Sequence, residues 1–311
     1  MSLALQVLVS GLGVGGVYGL VAIGYSLLYR LTGIVYFAFG DLVGLGVFAA
    51  LLVAAGTGPV SQTSVGAGRF LLALLVGLVV CITVSAAGYA LAVHPHLVRG
   101  STIGWVAATV ALAFAVRSLV GVFFTRPTYV FPDPLPFRDI GRAGFVSLGG
   151  ATIQVRTFFV LAVAAALALV AGWVVERTKL GRGLRAITAD AQGAAIVGVP
   201  VDLFITAAFG LAGGLAALAA VVAAPSAPFA TDSGALLGVN GLVAALIARF
   251  GSLWASFGTG LGLGVAEAAI ASLHIGGAEL GPEYREVLPI AFALALVAVR
   301  SWRASPAAEP L

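Results

Sequence analysis

A chain of 311 residues that is 61% hydrophobic and only 9% charged, with a mean hydropathy of +1.12, lies far from soluble proteins, where roughly a quarter of residues are charged. That composition excludes a soluble domain and points to an all-α polytopic membrane protein. The net charge of +4 comes from arginines set singly or in pairs between apolar runs, so it reads as a topology signal and not as a nucleic-acid surface.

A bilayer core takes about 20 apolar residues per helix. Runs of that order lie at 6–29, 38–56, 70–92, 101–124, 157–176, 202–224, 254–273 and 286–300. A shorter run at 235–249, punctuated by Gly238 and Gly241, predicts a broken or re-entrant helix. The expected fold is one transmembrane domain over 1–311, a bundle of about 8–9 helices. The first run has no basic residues before it, which predicts a retained span and not a cleaved signal peptide.

Between the first two spans lies the connection Gly33 to Asp41. Its aromatic residues Tyr36, Phe37 and Phe39 read either as an interfacial belt, preferred for Tyr36, or as a cover over a small apolar substrate at the mouth of a broken helix. His94 and His96, beside Arg99 at a span end, read as interfacial residues on a turn. Residues 125–156 hold Pro132, Pro134 and Pro136 with Asp133, Asp139, Arg126, Arg138, Arg142 and Arg156, predicting an ordered extracytoplasmic lid or docking loop.

The run 177–201 is the most polar helical stretch, with Arg177, Lys179, Arg182 and Arg185. Gly181 and Gly183 are expected to break the preceding helix. Leu184, Ile187, Ala191 and Ala194/Ala195 then recur at spacings of three and four, predicting a short amphipathic helix whose small apolar side fits a groove in a partner. A solvated loop is the alternative. Placing this run in the cytoplasm puts Arg30, Arg99, Arg249, Arg300 and Arg303 on the same side, with the N-terminus outside and the C-terminus inside. Glycines clustered at Gly11/Gly13/Gly15/Gly16, at Gly210/Gly213/Gly214 and at Gly258/Gly260/Gly262/Gly264 predict close helix packing.

The only lysine, Lys179, follows Thr178 and lies in no phosphate-binding loop, so the chain is not expected to hydrolyse ATP by itself. One cysteine, Cys81, and the scattered His94, His96 and His274 provide no metal cluster. Three ionisable residues fall within spans: Asp41, Arg117 and Glu267. Each costs at least about 2.5–3.5 kcal/mol at mid-membrane and must face protein or water. They either line a path or lock the bundle, for instance as an Arg117–Glu267 pair.

The segment Gly15-Gly-Val-Tyr-Gly-Leu-Val-Ala-Ile-Gly-Tyr-Ser-Leu-Leu-Tyr29, followed by Thr32-Gly-Ile-Val-Tyr-Phe-Ala-Phe-Gly-Asp41, resembles the opening of the LivH-type permeases of branched-chain amino acid ABC importers. Gly181-Arg-Gly-Leu-Arg-Ala186 with Asp190, Ala194-Ala195 and Gly198-Val is similar to the cytoplasmic loop of that family, and the likeness covers nearly the whole chain. The resemblance implies a bacterial inner-membrane subunit that binds no cofactor itself, ATP and Mg acting on partner subunits. The partners it implies are two ATP-binding subunits, a second, LivM-like permease and an extracytoplasmic solute-binding protein. It makes 184–197 a coupling helix and assigns Gly181, Arg182, Leu184, Arg185, Ile187, Asp190 and Ala194 to ATPase contact. Tyr36, Phe39, Asp41, Arg117 and Glu267 are the candidates for the translocation path.

This chain has Tyr36, Phe39 and Asp41 where the family shows Asn, His and Glu, and Ala248-Arg249-Phe250 where it shows a Gly pair. Branched-chain amino acids are therefore the family default, beside other amino acids, amides or urea, sugars and nucleosides. A rival reading is an ion-coupled secondary transporter using Asp41, Arg117 and Glu267. An intramembrane enzyme lacks a nucleophile–base pair in facing spans.

Overall fold

The computed structural model describes residues 2–57, 65–99, 103–132, 144–148, 151–272, 274–275, 278–279 and 291. Helix α1 spans Ser2–Thr32, α2 Phe39–Ala54 and α3 Ala67–Gly88. α3 runs on through a π-helical turn at Tyr89–Val93 into α4, His94–Val98. There follow α5 (Gly104–Phe123), a hairpin of β1 (Phe145–Leu148) and β2 (Ala151–Gln154), α6 (Val155–Arg177), α7 (Lys179–Ala189) and α8 (Ala191–Ile196). The described chain closes with α9 (Val201–Ala223), α10 (Ser233–Ile247), α11 (Leu253–Ala271) and a short pairing of β3 (His274–Ile275) with β4 (Ala278–Glu279). The span expected at 286–300 lies, but for residue 291, outside the described residues, as do Asp133, Pro134, Pro136, Arg138, Asp139, Arg142, Arg300 and Arg303.

Six described helical stretches are long and apolar enough to cross a membrane: Ala4–Thr32, Ala67–Val98, Gly104–Phe123, Val155–Arg177, Val201–Ser226 and Leu253–Ala271. α2 and α10 have 16 and 15 residues. At 1.5 Å per residue they are about 22–24 Å long, short of a ~30 Å hydrocarbon core. The short helix expected at 235–249 is thus one of a pair, and the run 38–56, expected to cross fully, supplies the other.

α1 is the axis of the bundle and packs against α6, α9, α10 and α11. Its seam with α11 is made by glycine: a Cβ on Gly15 would fall 2.8 Å from the Gly260 carbonyl oxygen, and one on Gly11 2.6 Å from the Val265 Cα. The series in α11 divides by face. Gly260 and Gly264 press against α1, whereas Gly258 and Gly262 have nothing within 4 Å of a built Cβ. Such close backbone approach is what small residues permit where hydrophobic expulsion from water is absent.

The packing also contains a repeat. α1 lies antiparallel to α11, Gly11 facing Val265 and Gly19 facing Phe257, as α9 lies antiparallel to α3, Gly213 facing Ser85 and Gly214 facing Leu78. α2 crosses α10 through two Gly-x-x-x-Gly pairs, Gly40 against Gly238 and Gly44 against Gly234. α2 runs parallel to α9 (Tyr36 on Phe209, Gly46 on Ala217) and α10 parallel to α1 (Gly241 on Val21, Phe250 on Tyr29). Since α2 and α10 oppose one another, so do α1 and α9. The units α1–α2–α3 and α9–α10–α11 are therefore inverted copies of a long–short–long motif.

Two local expectations change. The helix before the basic run ends at Thr178, not at the glycines: the Thr178 hydroxyl accepts the Gly181 N–H at 3.2 Å and caps α7. Gly181 and Gly183 lie inside α7, one against the Val175 carbonyl and the other under the Phe204 ring, so absence of a side chain outweighs their ~1 kcal/mol helix penalty. Arg156, read as a loop residue, sits buried in the first turn of α6, its Nη2 donating to the Val222 carbonyl at 3.0 Å.

Candidate functional site

Helix periodicity brings Ser10, Gly13, Val14, Val17 and Tyr18 to one face of α1. That face borders an open cavity of about 540 Å³ lined also by the start of α6, the α9–α10 connection, α10 and α11. Glu267, only 6% exposed, stands on its wall, and its Oε2 accepts a hydrogen bond from the Tyr18 hydroxyl at 2.8 Å. Gln154, Asn240, Ser233 and Thr157 add neutral polar groups. One mouth is held in place by the segment after α5: Tyr129 and Phe229 exchange backbone hydrogen bonds of 2.9 and 2.8 Å, and Phe48, Phe124, Tyr129 and Phe229 form an aromatic cluster beneath them.

Asp41 and Arg117 lie elsewhere. In the first turn of α2, Asp41 is buried, and its Oδ1 accepts a hydrogen bond from Arg117 Nε at 2.9 Å, with Nη2 of the same guanidinium also 2.9 Å away in the ion pair. Arg117 therefore pairs with Asp41 and not with Glu267. The reason is topological, since α5 packs on α2 and on the π-helical turn whereas Glu267 belongs to α11 beside α1. Phe114, one turn back on α5, places its ring 5.8 Å from the guanidinium carbon.

The aromatic connection divides too. Tyr36 is 1% exposed and meets Phe209 edge-on at 5.1 Å, so it is a core residue and not part of an interfacial belt. Phe39 is fully buried, edge-on to Tyr25 at 4.9 Å, and roofs Gly24. Phe37 is the exposed aromatic of the three, stacked on Trp105. Of the five path candidates only Glu267 lines the cavity. Asn240 was missed because it is a single polar residue in an apolar run; Gln154 falls in the stretch read as an outer loop, and Tyr18 lies in the segment that carries the family likeness without any sign that it meets Glu267.

The basic run forms a helical corner. Asp190 ends α7 and caps α8, its carboxylate accepting the Gln192 N–H at 3.0 Å. Leu184 and Ile187 are 1% and 3% exposed, and Gly181 and Ala194 are buried as well. The apolar side expected to fill a partner's groove is thus used internally, Leu184 packing among residues of α1, α6 and α9. What faces outward is Arg182, Arg185, and at the end of α8 Ile196 and Val197, which are 86% and 77% exposed. Arg185 also reaches back, Nη1 donating to the Glu176 carbonyl at 3.0 Å. Behind the corner, Asp202 in the first turn of α9 accepts from the Tyr89 hydroxyl at 3.2 Å and lies 3.4 Å from His94 Nε2. The corner is thereby joined through α9 to the α3–α4 junction.

Residues 7–297 match the family described as the branched-chain amino acid transport system permease component. The chain is 27% identical over 296 residues to the high-affinity branched-chain amino acid transport system permease protein BraD of Pseudomonas aeruginosa, covering 94% of this chain and 92% of that protein. To the corresponding permease protein LivH of Escherichia coli strain K12 it is 25% identical over 300 residues, 95% of this chain and 93% of that protein. Among solved structures it is similar to a metal-chelate type ABC transporter in an inward-facing conformation, with a TM-score of 0.53 at 15% identity over 96% of this chain and 85% of that one, a likeness of fold.

Proposed function

Since the chain belongs to the branched-chain amino acid transport system permease components, we propose that it carries a branched-chain amino acid through the bacterial cytoplasmic membrane as one of two permease subunits of an ABC importer. Two ATP-binding subunits, holding ATP and Mg, drive it from the inner side. An extracytoplasmic solute-binding protein delivers the solute to the other side, where it meets the stretch of chain between α5 and α6. The N-terminus is outside and the C-terminus inside, which puts the α7–α8 corner in the cytoplasm.

The observation that carries this reading is the construction of that corner. Leu184 and Ile187 anchor it to the bundle while Arg182, Arg185, Ile196 and Val197 stand outward, so a partner gripping the outer face pulls on α6 and α9. Through Asp202 the pull reaches Tyr89 and His94, and α9 is the first helix of the second unit of the inverted repeat. Closure of the ATP-binding subunits thus moves one repeat against the other and exposes the path to alternate sides. An ion-coupled mechanism has less support: Asp41 is already neutralised by Arg117.

The test is co-purification and ATPase activity of the assembled complex. Ile196→Asp with Val197→Asp should abolish capture of the ATP-binding subunits, and Arg182→Ala with Arg185→Ala should lower solute-stimulated ATP hydrolysis by about tenfold, the loss of one or two charge-assisted hydrogen bonds. Normal assembly and normal stimulated hydrolysis in both double variants would remove the corner from the coupling path.

A further inference from the structure

The two halves of the Asp41–Arg117 pair are unequally covered. The Asp41 side chain is 6% exposed and that of Arg117 37%. What the pair turns outward is therefore the guanidinium. Asp41 Oδ1 engages its Nε and Nη2, and among the described residues Nη1 has no acceptor. The pair also lies deep. α2 and α9 run parallel with Tyr36 on Phe209 and Gly46 against Ala217, so Asp41 is level with about Gly213, near the middle of the 23-residue α9. Cys81 fixes the same level from α3: it lies against Gly213, and its Sγ donates to the Leu42 carbonyl at 3.1 Å. A guanidinium at that depth is expensive against hydrocarbon and faces protein or water instead. Asp41 holds it there, so the side chain does not snorkel to the headgroups.

Around Arg117 the outer side of α5 is uncovered. Phe114, Arg117 and Gly121 follow one another at i, i+3 and i+7 on a single stripe, while Ala113, Val116 and Val120 make the packed side. Phe114 is 62% exposed, and a Cβ on Gly121 would meet nothing within 4 Å. The stripe thus presents a cation beside an aromatic ring, 5.8 Å from the guanidinium carbon to the Phe114 centroid. Its complement is an anion on an apolar body, and the guanidinium fork suits a carboxylate. Lipid headgroups do not reach the middle of the bilayer, which leaves a solute in passage.

We propose that Arg117 binds the carboxylate of the transported solute through the guanidinium donors that Asp41 leaves unused, with Phe114 as the apolar surface beside it and Asp41 as the positioning residue. The site rests on the import reading above and narrows its solute to a carboxylate, since urea, simple amides, sugars and nucleosides lack the group that the guanidinium takes. The stripe is open on this chain, and the second permease subunit closes the path over it.

The experiment uses the whole importer in nanodiscs and 4-methylpentanoate, a carboxylate without an amine, as the probe, its binding read by saturation-transfer NMR. Wild-type complex should bind it, L-leucine should compete, and L-leucinamide, which lacks the carboxylate, should compete at least about tenfold more weakly. Arg117→Gln should weaken binding about tenfold or more, the usual loss for a charge-assisted contact. Arg117→Lys keeps the charge without the fork and should weaken binding by less; it carries the test if Arg117→Gln does not assemble. Asp41→Asn separates a binding role from a merely structural one, because it frees the guanidinium of its counter-charge and should tighten binding severalfold. If the wild type binds no 4-methylpentanoate, if leucinamide competes as well as leucine, or if neither Arg117 variant binds more weakly, the site is overturned. It is overturned too if Asp41→Asn weakens binding as much as the Arg117 variants do, since the pair then only holds α2 to α5. ATP-driven leucine uptake by wild-type proteoliposomes, with the binding protein supplied, decides the import reading separately. Uptake without Arg117-dependent binding removes the site alone, and Arg117-dependent binding without uptake removes leucine as the solute.

Discussion

Asp41 and Arg117 show how a membrane span tolerates charge. Each alone is an expensive residue in an apolar run, and together they form an ion pair with a charge-assisted hydrogen bond from Nε to Oδ1. The Arg117 side chain is 37% exposed and that of Asp41 6%. Breaking the pair should therefore cost about 2 kcal/mol, between the ~0–1 of an exposed pair and the ~3–5 of a fully buried one. Arg117→Leu and Asp41→Asn are each expected to lower the thermal stability of the purified protein, and the exchange Asp41→Arg with Arg117→Asp to recover part of the loss. Equal stability of the wild type and both single variants would show that the pair contributes nothing. That these residues needed partners was readable in the sequence; which partner each takes was not, because pairing across helices depends on which helices adjoin. Asp190 is a milder case. Its carboxylate caps α8, so Asp190→Ala should lose about 1 kcal/mol of local helix stability. Faster amide hydrogen exchange at Gln192 and Gly193 would report it, and unchanged exchange would count against the cap.

At the level of the helix, glycine position matters more than glycine content. Gly258, Gly260, Gly262 and Gly264 look alike as a sequence, yet they alternate between open space and direct backbone contact with α1. Gly15→Ala should cost about 1–3 kcal/mol by forcing α1 and α11 apart, while Gly258→Ala should be neutral or slightly stabilising through helix propensity. Equal thermal shifts for the two would contradict the seam. Helix existence and approximate limits were legible from hydropathy for each long element from α1 to α11. Less legible was the direction of the amphipathic stripe in α7: spacing identifies Leu184 and Ile187 as one face, but a buried face and a docking face have the same period, and only the neighbouring α6 and α9 decide between them. The inverted repeat is hidden in the sequence for a similar reason. Its two Gly-x-x-x-Gly crossings are 194 positions apart (Gly40 to Gly234, Gly44 to Gly238), and the residues around them differ, Phe39 and Asp41 standing opposite Ser233 and Ala235.

For the whole molecule, sidedness is open to direct measurement. Cys81, the one native thiol, is 0% exposed and gives little background. A cysteine at Ile196 should react with an impermeant maleimide only in inverted vesicles, and one at Val130, which is 51% exposed beyond the end of α5, only in right-side-out cells. The reverse pattern would invert the orientation and place the α7–α8 corner out of reach of ATP-binding subunits. The central position of α1 has a further consequence, for biogenesis. Its main partner, α11, begins about 220 residues after α1 ends. At ~5–20 residues per second that is roughly 10–45 s of synthesis. Throughout that interval α1 has its glycine seam unfilled, and Tyr18 and Ser26 wait for the Glu267 and Ser256 side chains to which they finally bond. A ribosome that stalls before α11 leaves α1 without its closure, so the later helix acts as the checkpoint for the earlier one.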